Sequence, residues 1–232
     1  MTSDWVKFYD FRHSIIYVNE RHRDVHYARI AHDIAPYIPS PQARVLDYGS
    51  GEALHADELA ARCAALTLAE AAPNVRAILS QRFAGNDHIA VLTPDEVAAL
   101  PAETFDLIVM HSVAQYLTVA ELDGLLASFR RLLKSDGRFV LGDVVPPRFA
   151  SVSAALALLR FAAANGFFGA AVLGLLRIVV SDYLTLSRKA GLSHYTQEQI
   201  SERLRGAGFS PRRADANIGH NQARMSFVCR PA

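Results

Sequence analysis

The sequence predicts an α/β fold: a doubly wound, mostly parallel sheet of seven strands, with a terminal antiparallel hairpin and a helical insertion after the fifth strand. Short apolar runs alternate with longer stretches of helical periodicity, which is typical of a parallel sheet with crossover helices. A glycine turn follows the first apolar run, and two strand-like segments joined through Gly219-His220-Asn221 close the chain. These three observations carry the prediction.

Composition limits the classes of protein that the chain can be. Its 232 residues are 51% hydrophobic and 20% charged, which is enough apolar material for one domain with a substantial core. The 24 basic residues nearly balance the 23 acidic ones, which argues against a nucleic-acid partner.

Cys63 and Cys229 are far apart and fit reduced thiols. No signal-peptide core follows Met1, so we expect a cytoplasmic protein, with contact to the inner face of a membrane left open.

The elements follow from periodicity and from stop signals. Helices are predicted from about Asn19 to Ile38, from Ala53 to Cys63, and from Thr118 to Gly137. The strands of the parallel part are predicted at Arg44–Asp47, Leu66–Ala69, His88–Leu92, Phe105–Met110 and Arg138–Val145.

Two capping boxes mark helix starts, since Thr118 precedes Glu121 by three residues and Thr196 precedes Gln199 by the same spacing. Between them lies a nearly continuous apolar stretch, residues 152–180. Its charge-free run from Arg160 to Arg177 is shorter than the ~20 residues of a spanning helix. Asn165-Gly166 divides the stretch, which therefore predicts two short helices.

The strongest chemical signal is the run Val45-Leu46-Asp47-Tyr48-Gly49-Ser50-Gly51. A strand that ends in an acid and runs into a Gly-x-Gly turn brings backbone amides close to a ligand. Glu70 ends the next strand, about twenty residues further on, where an acid can accept hydrogen bonds from ribose hydroxyls. Leu54 occupies the place of the third glycine of the dinucleotide fingerprint, which favours a nucleoside without a pyrophosphate. A tight turn with no ligand is the alternative.

Taken together, these segments resemble the motifs of class I methyltransferases that use S-adenosylmethionine, in their small-molecule branch. The run from Val45 to Gly51 resembles the first motif of that family, and residues 105–109 resemble its fourth-strand motif. Residues 132–139 are similar to its leucine-lysine-proline-glycine-glycine segment, with Ser135-Asp136 in place of proline and glycine. Tyr195-Thr196 through Phe209 resembles the segment that leads from the last helix to the sixth strand.

The resemblance implies a Rossmann-like methyltransferase fold with S-adenosylmethionine as the cofactor. Asp47, Gly49 and Gly51 would then lie against the methionine part, and Glu70 would hold the ribose. Asp95 would meet the adenine, with Thr93 as the alternative register. Met110 and His111 would border both cofactor and acceptor. The single domain would comprise a helical lid (1–40), a cofactor-binding half (41–147), the apolar insertion (148–195), and the last helix with the terminal hairpin (196–232).

The acceptor should bind beside the cofactor at the carboxyl edge of the sheet. His111, His220 and Tyr195 are the catalytic candidates. The other polar candidates at this edge are Tyr116, Tyr183 and His194. An N-terminal cluster could cover the cofactor or simply pack as a helical flank; it comprises Trp5, Phe8, Tyr9, Phe11, Tyr17, His26 and Tyr27. No metal site is expected, because His22 and His26, although at metal-ligand spacing, are predicted to lie on a surface face.

The insertion is the main clue to the substrate. Its many large apolar side chains favour a small hydrophobic or lipid-like acceptor, reached through an apolar channel or from a bilayer; a homodimer contact and core packing are the alternatives. Two other functions stay open. One is a catalytically inactive module that binds the cofactor and serves a partner enzyme, and the other is an NAD-dependent oxidoreductase. The missing third glycine counts against the latter.

Overall fold

The computed structural model describes residues 6, 10, 17–147, 151–180 and 192–232 of the chain. Within these residues, seven strands form one sheet in the order β3-β2-β1-β4-β5-β7-β6. Their bounds are β1 Arg44–Tyr48, β2 Ala65–Ala69, β3 Ile89–Leu92, β4 Phe105–His111, β5 Leu133–Val144, β6 Phe209–Arg213 and β7 Met225–Pro231.

The sheet is parallel except at β7. β1 pairs in parallel with both β2 and β4, so the strand order reverses between β2 and β4 around β1. β7 runs antiparallel to β5 and to β6, with Phe139 opposite Cys229 and Pro211 opposite the same residue. The predicted mostly parallel sheet with a terminal antiparallel pair is therefore confirmed. The reversal beside β1 is the place where open α/β sheets bind ligands.

Helices lie on both faces of the sheet. Their bounds are α1 Glu20–Ile34, α2 Ala56–Ala60, α3 Pro73–Arg82, α4 Pro94–Ala98, α5 Val119–Leu132, α6 Ser151–Asn165, α7 Phe168–Val180 and α8 Gln197–Gly206. The predicted capping boxes of Thr118 and Thr196 are both formed. α3 and α4 were not predicted from the sequence, because neither carries a clear apolar stripe.

Two predicted helices are shorter than expected. α2 starts only at Ala56, since Gly51 and Ala53 adopt positive φ angles of 57° and 43° that keep the turn irregular. The α5 prediction, which extended to Gly137, was wrong at its end. Leu133 already pairs with Phe105 as part of β5, and the Lys134 ammonium donates to Asp106 Oδ1 at 2.7 Å. Pairing with β4 thus ends the helix before Gly137.

The insertion folds as the two short helices that its sequence predicts. α6 and α7 are joined at Gly166, whose φ of 78° is in the left-handed region that suits glycine. They pack on α1 through a small apolar cluster of Val25, Ala162, Phe167 and Ala171. None of the helices in the described part of the chain is long and apolar enough to cross a bilayer.

Candidate active site

A cavity of about 460 Å³ lies at the carboxyl edge of the sheet, where β1, β2, β4 and β5 end. Its floor is the turn after β1, and its walls come from α1, the loop after β4, α6 and the β6–β7 connection. The polar side chains among its lining residues are Tyr17, His22, His26, Tyr27, Asp47, Tyr48, Ser50, His55, Glu70, His111, Ser112, Gln115, Tyr116, Asp143, His220, Asn221 and Arg224. Most of the predicted site residues therefore come together here.

The turn after β1 requires glycine at two positions. Gly49 has a φ of 76°, and a Cβ there would lie 2.3 Å from Val113 Cγ2. Gly51 has a φ of 57°, and a Cβ there would lie 2.7 Å from the Tyr27 hydroxyl. The Gly49 amide donates to the Ala69 carbonyl at 2.8 Å, which ties the turn to the end of β2. The backbone can consequently approach a ligand closely.

Glu70 joins the end of β2 to this turn. Its Oε2 accepts from the Gly51 amide at 3.0 Å, and its Oε1 accepts from the Ala72 amide at 2.8 Å. Burial raises the pKa of Glu70, and these amides counteract part of that rise. Glu70 is 8% exposed and lines the cavity, so its carboxylate can also accept hydrogen bonds from a bound ligand.

Asp47 provides a second carboxyl group at the end of β1. Burial, with a smaller contribution from the nearby Glu70, raises its pKa to about 7. Asp47 and Glu70 both line the cavity, and two neighbouring acids disfavour each other's ionisation and favour a cationic ligand. A sulfonium with an α-ammonium group is a ligand of that kind.

α1 covers the glycine turn. The Tyr27 hydroxyl accepts from the Glu52 amide at 2.9 Å and from the Tyr17 hydroxyl at 3.2 Å. Tyr17, His26 and Tyr27 all line the cavity, as the lid prediction requires. The other lid residues of that prediction, Trp5, Phe8, Tyr9 and Phe11, lie outside the described residues.

His111 lies at the end of β4 and lines the cavity. Its Nδ1 is buried and has no hydrogen-bond partner among the residues that the structure describes. A Cβ on Gly142 would lie 2.8 Å from this nitrogen, so the glycine makes room for the ring. Burial lowers the pKa of His111, although Asp143 nearby counteracts it. A neutral imidazole at this place can accept a proton.

Sequence reasoning missed Asp143, which lines the cavity near the end of β5. The Ser112 hydroxyl donates to its Oδ2 at 2.5 Å, the Asn217 amide donates to its Oδ1 at 3.1 Å, and Arg224 pairs with its Oδ2. Burial alone would raise the pKa of Asp143, but Arg224 and the other donors outweigh it and hold the pKa below its usual range. The signal in the sequence was an acid directly after Gly142, near the end of a predicted strand.

Three histidines line the part of the cavity beside the insertion, and two of them stack on phenylalanines behind them. His22 stacks on Phe167 with ring centroids 4.9 Å apart, and His220 stacks on Phe161 at 4.7 Å. His26 lies 6.1 Å from both other imidazoles. We call these five residues the histidine wall.

The prediction that His22 and His26 form a surface face was wrong. His22 is 6% exposed, and both imidazoles line the cavity because the insertion packs against this side of α1. Burial lowers the pKa of His22 to about 4 and that of His26 to about 3. No group of three or more potential ligands within the described ranges is arranged to hold a metal ion.

Several predicted residues lie outside the cavity. Met110 is fully buried in the core, because neighbouring residues of a strand face opposite sides and His111 takes the cavity side. Tyr195 is buried in the same core, with its backbone amide bonded to the Val145 carbonyl at 3.0 Å. Asp95 and His194 are exposed. Pro94, beside Asp95, does line the cavity. Tyr183 lies outside the described residues.

The sheet order, the glycine turn and the acid at the end of β2 together define the fold of class I methyltransferases. A family model of the methyltransferase domain matches residues 46–141, which run from β1 into β5 and contain both features. The match of this segment to that family confirms the resemblance inferred from the sequence motifs.

Solved structures have the same fold at low identity. DhpI in its complex with S-adenosylhomocysteine is 14% identical, with a TM-score of 0.59 over 98% of this chain and 95% of that one. Human N-acetylserotonin methyltransferase in complex with S-adenosylmethionine is 14% identical, with a TM-score of 0.58 over 90% of this chain and 52% of that one. A Haloferax volcanii protein solved with the Trm112 methyltransferase activator is 12% identical, with a TM-score of 0.64 over 100% and 99%. No match was found among curated protein sequences.

Proposed function

We propose that the protein transfers a methyl group from S-adenosylmethionine to a small hydrophobic acceptor. The observation that carries the proposal is the two-sided cavity. One half holds the glycine turn and two acids, and the other half is walled by imidazoles and by apolar side chains of the insertion. Its volume of about 460 Å³ falls in the range of small-molecule sites.

The residues of the first half fit the proposed cofactor. The methionine part would lie against the turn at Gly49 and Gly51, where a side chain would collide with Val113 or with the Tyr27 hydroxyl. Glu70 would accept hydrogen bonds from the ribose hydroxyls, and Asp47 would face the cationic part of the molecule. When bound, S-adenosylmethionine supplies an electrophilic methyl group on a sulfonium. The chain itself then has to align the acceptor with that carbon and to exclude water.

The second half of the cavity supports an apolar acceptor. The insertion contributes Ala154 and Leu158 to the lining, and no charged side chain of α6 is among the lining residues. Phe161 lies behind them, stacked on His220. Removing water from such a wall favours binding of apolar surface.

If the methylated atom carries a proton, His111 is the group that we assign to accept it. It lies at the end of β4 between the two halves, and burial favours its neutral form. His220, on the facing β6–β7 connection, is the second candidate. In both cases the role is to hold or receive a proton at an imidazole nitrogen that faces the cavity.

The test is calorimetric titration of the protein with S-adenosylhomocysteine. Glu70→Gln should weaken binding by about 1.5–3 kcal/mol, or roughly tenfold or more, because a charged acceptor is lost. Glu202→Gln is the matched control, since Glu202 is exposed and far from the cavity, and its affinity should equal that of the wild type. Absence of binding by the wild-type protein, or binding of NAD in its place, would overturn the proposal.

A further inference from the structure

The α6–α7 pair carries an apolar surface that faces away from the cavity. Val152, Leu156, Leu173 and Leu176 are 69%, 48%, 58% and 60% exposed. Phe168 and Val172 of α7 extend this surface at 50% and 36%. We call these six residues the apolar face. Single exposed leucines are ordinary, but six large apolar side chains on two packed helices mark an interaction site.

The apolar face follows regular helical stripes. In α7, Phe168, Val172 and Leu176 recur every four residues, while Phe167 and Ala171 on the opposite side are buried against α1. In α6, Val152 and Leu156 continue into Arg160 at the same spacing, and Arg160 is exposed as well. Each helix therefore has one buried side and one exposed side, although apolar side chains predominate on both.

The charge of α6 and α7 indicates what kind of surface binds the apolar face. Residues 151–180 contain no aspartate or glutamate, and their two charged residues are both arginines, Arg160 and Arg177. The whole chain, by contrast, is almost neutral at +1. A purely basic helical pair with an exposed apolar face complements a surface that is anionic outside and apolar beneath, which describes an anionic lipid bilayer.

A second copy of the chain fits less well. In a twofold contact the same patch meets itself, so the exposed Arg160 of each copy would enter a contact in which neither helix carries an acid to neutralise it. The helices are also too short to span a bilayer, since α6 has 15 residues and α7 has 13. Together, these observations favour a lipid surface over a second copy, with the helices lying in the plane of that surface.

We propose that the apolar face of α6 and α7 docks on an anionic lipid bilayer, with Arg160 at the level of the lipid phosphates. Val152 and Leu156 of α6 would lie among the acyl chains, while Ala154 and Leu158 of the same helix line the cavity. One helix thus separates the lipid from the acceptor half of the cavity. The consequence for substrate supply, an acceptor drawn from the bilayer, rests on the proposed function; the docking itself does not.

The test is co-sedimentation of the full chain with vesicles of phosphatidylcholine mixed with phosphatidylglycerol, compared with vesicles of phosphatidylcholine alone. We expect binding to the anionic vesicles and weaker binding to the neutral ones. The double substitution Leu173→Ser and Leu176→Ser should reduce the partition coefficient more than about tenfold, because two apolar side chains no longer enter the lipid. Arg160→Gln should reduce it less and should weaken its dependence on salt.

Matched controls exist elsewhere in the chain. Ile78 and Val119 are 44% and 45% exposed on α3 and α5, and Ile78→Ser with Val119→Ser should leave vesicle binding unchanged. Arg62, exposed before β2, is the control for Arg160. All substituted leucines are exposed, so their variants should keep the wild-type circular dichroism spectrum and the wild-type affinity for S-adenosylhomocysteine.

Three outcomes would overturn the proposal. They are equal affinity for neutral and anionic vesicles, no binding of the wild type to either, and equal losses in the leucine and control variants. A dimer in light scattering that Leu173→Ser and Leu176→Ser dissociate, without vesicle binding, would assign the apolar face to a second copy instead. Because these readouts involve no cofactor, failure here leaves the titration with S-adenosylhomocysteine intact, and the reverse also holds.

Discussion

Asp143 connects three segments at one edge of the sheet through its two carboxylate oxygens. Ser112 follows β4, Asn217 lies between β6 and β7, and Arg224 precedes β7. Asp143 and Ser112 both have positive φ angles, 65° and 56°, which cost energy for residues other than glycine. The hydrogen bonds hold this strained backbone in place beside His111.

Replacing Asp143 by asparagine tests this connection. Asparagine tolerates a positive φ, so the substitution removes the charge and leaves the backbone strain unchanged. The free energy of unfolding should fall by about 2–3 kcal/mol, because Arg224 keeps a partly buried charge without its carboxylate. Urea unfolding at neutral pH measures this loss in the free energy of unfolding.

The control is the exposed pair of Asp123 and Arg203, whose two hydrogen bonds measure 3.0 and 2.9 Å. Asp123→Asn should cost less than about 1 kcal/mol, since solvent screens that pair. Equal losses in the two variants would contradict a special role for Asp143.

Single residues of the site were predictable where they stand at or directly after the end of one of the first two strands. Asp47, Gly49, Gly51 and Glu70 were predicted as neighbours of a ligand, and all four line the cavity. Asp143 was not predicted, because its partner Arg224 is 81 residues away. No local pattern of sequence indicates which distant charge a buried acid will meet.

At the scale of helices, the packing of α1 against α6 and α7 depends on neutral imidazoles. His22 and His26 project from α1, and His220 and His111 face them from the β6–β7 connection and from β4. The folded-state pKa values of about 4 for His22 and about 3 for His26 lie below the ordinary value of 6.5. The unfolded chain therefore binds more protons than the folded one below pH 6.5.

Stability should accordingly decrease as the pH falls from about 6.5 toward 4. The loss is on the order of 3 kcal/mol for each imidazole at the lower end of this range. His22→Gln and His26→Gln should each make the plot of unfolding free energy against pH less steep over this range. Urea unfolding at a series of pH values measures that slope, which matters here more than the absolute stability of either variant.

His32 provides the control on the same helix, because its side chain is 79% exposed. His32→Gln should keep the wild-type slope. A wild-type slope in the His22 and His26 variants would show that other groups cause the acid sensitivity.

The helices themselves were predicted better than their ends. Periodicity and capping residues located α1, α5 and α8, because these signals act within one or two helical turns. The end of α5 was misplaced since Leu133 pairs with β4, a contact that the helix does not determine. His22 and His26 were assigned to a surface face for the same reason, as the insertion that buries them lies far along the chain.

At the scale of the whole molecule, ligand binding and stability should be linked through the glycine turn. A ligand that binds only the folded state stabilises it by about 2.7 kcal/mol at a concentration one hundred times its dissociation constant. S-adenosylhomocysteine should therefore raise the melting temperature of the wild type, as measured by differential scanning fluorimetry.

Alanine substitutions at two glycines distinguish the effect of a close atomic contact from the effect of backbone strain. Gly49→Ala introduces a Cβ 2.3 Å from Val113 Cγ2, whereas Gly85→Ala, at a similar φ of +87°, meets no atom within 4 Å among the described residues. Both variants should melt earlier than the wild type without ligand. Only Gly49→Ala should lose the ligand-dependent rise, and a preserved rise in that variant would contradict the assigned cofactor position.

The sequence by itself determined the class of fold, the order of the strands along the chain, and the part of the candidate site formed by the turn after β1 and by Glu70. These features depend on interactions between residues close in the chain, such as strand alternation, caps and glycine turns. Only the tertiary structure decided that His22, His26 and Asp143 join the predicted His111 and His220 in one cavity, and that α6 has one side on this cavity and another in solvent. The reason is physical: which faces of distant segments meet is set by packing of the whole chain, and no local pattern contains it.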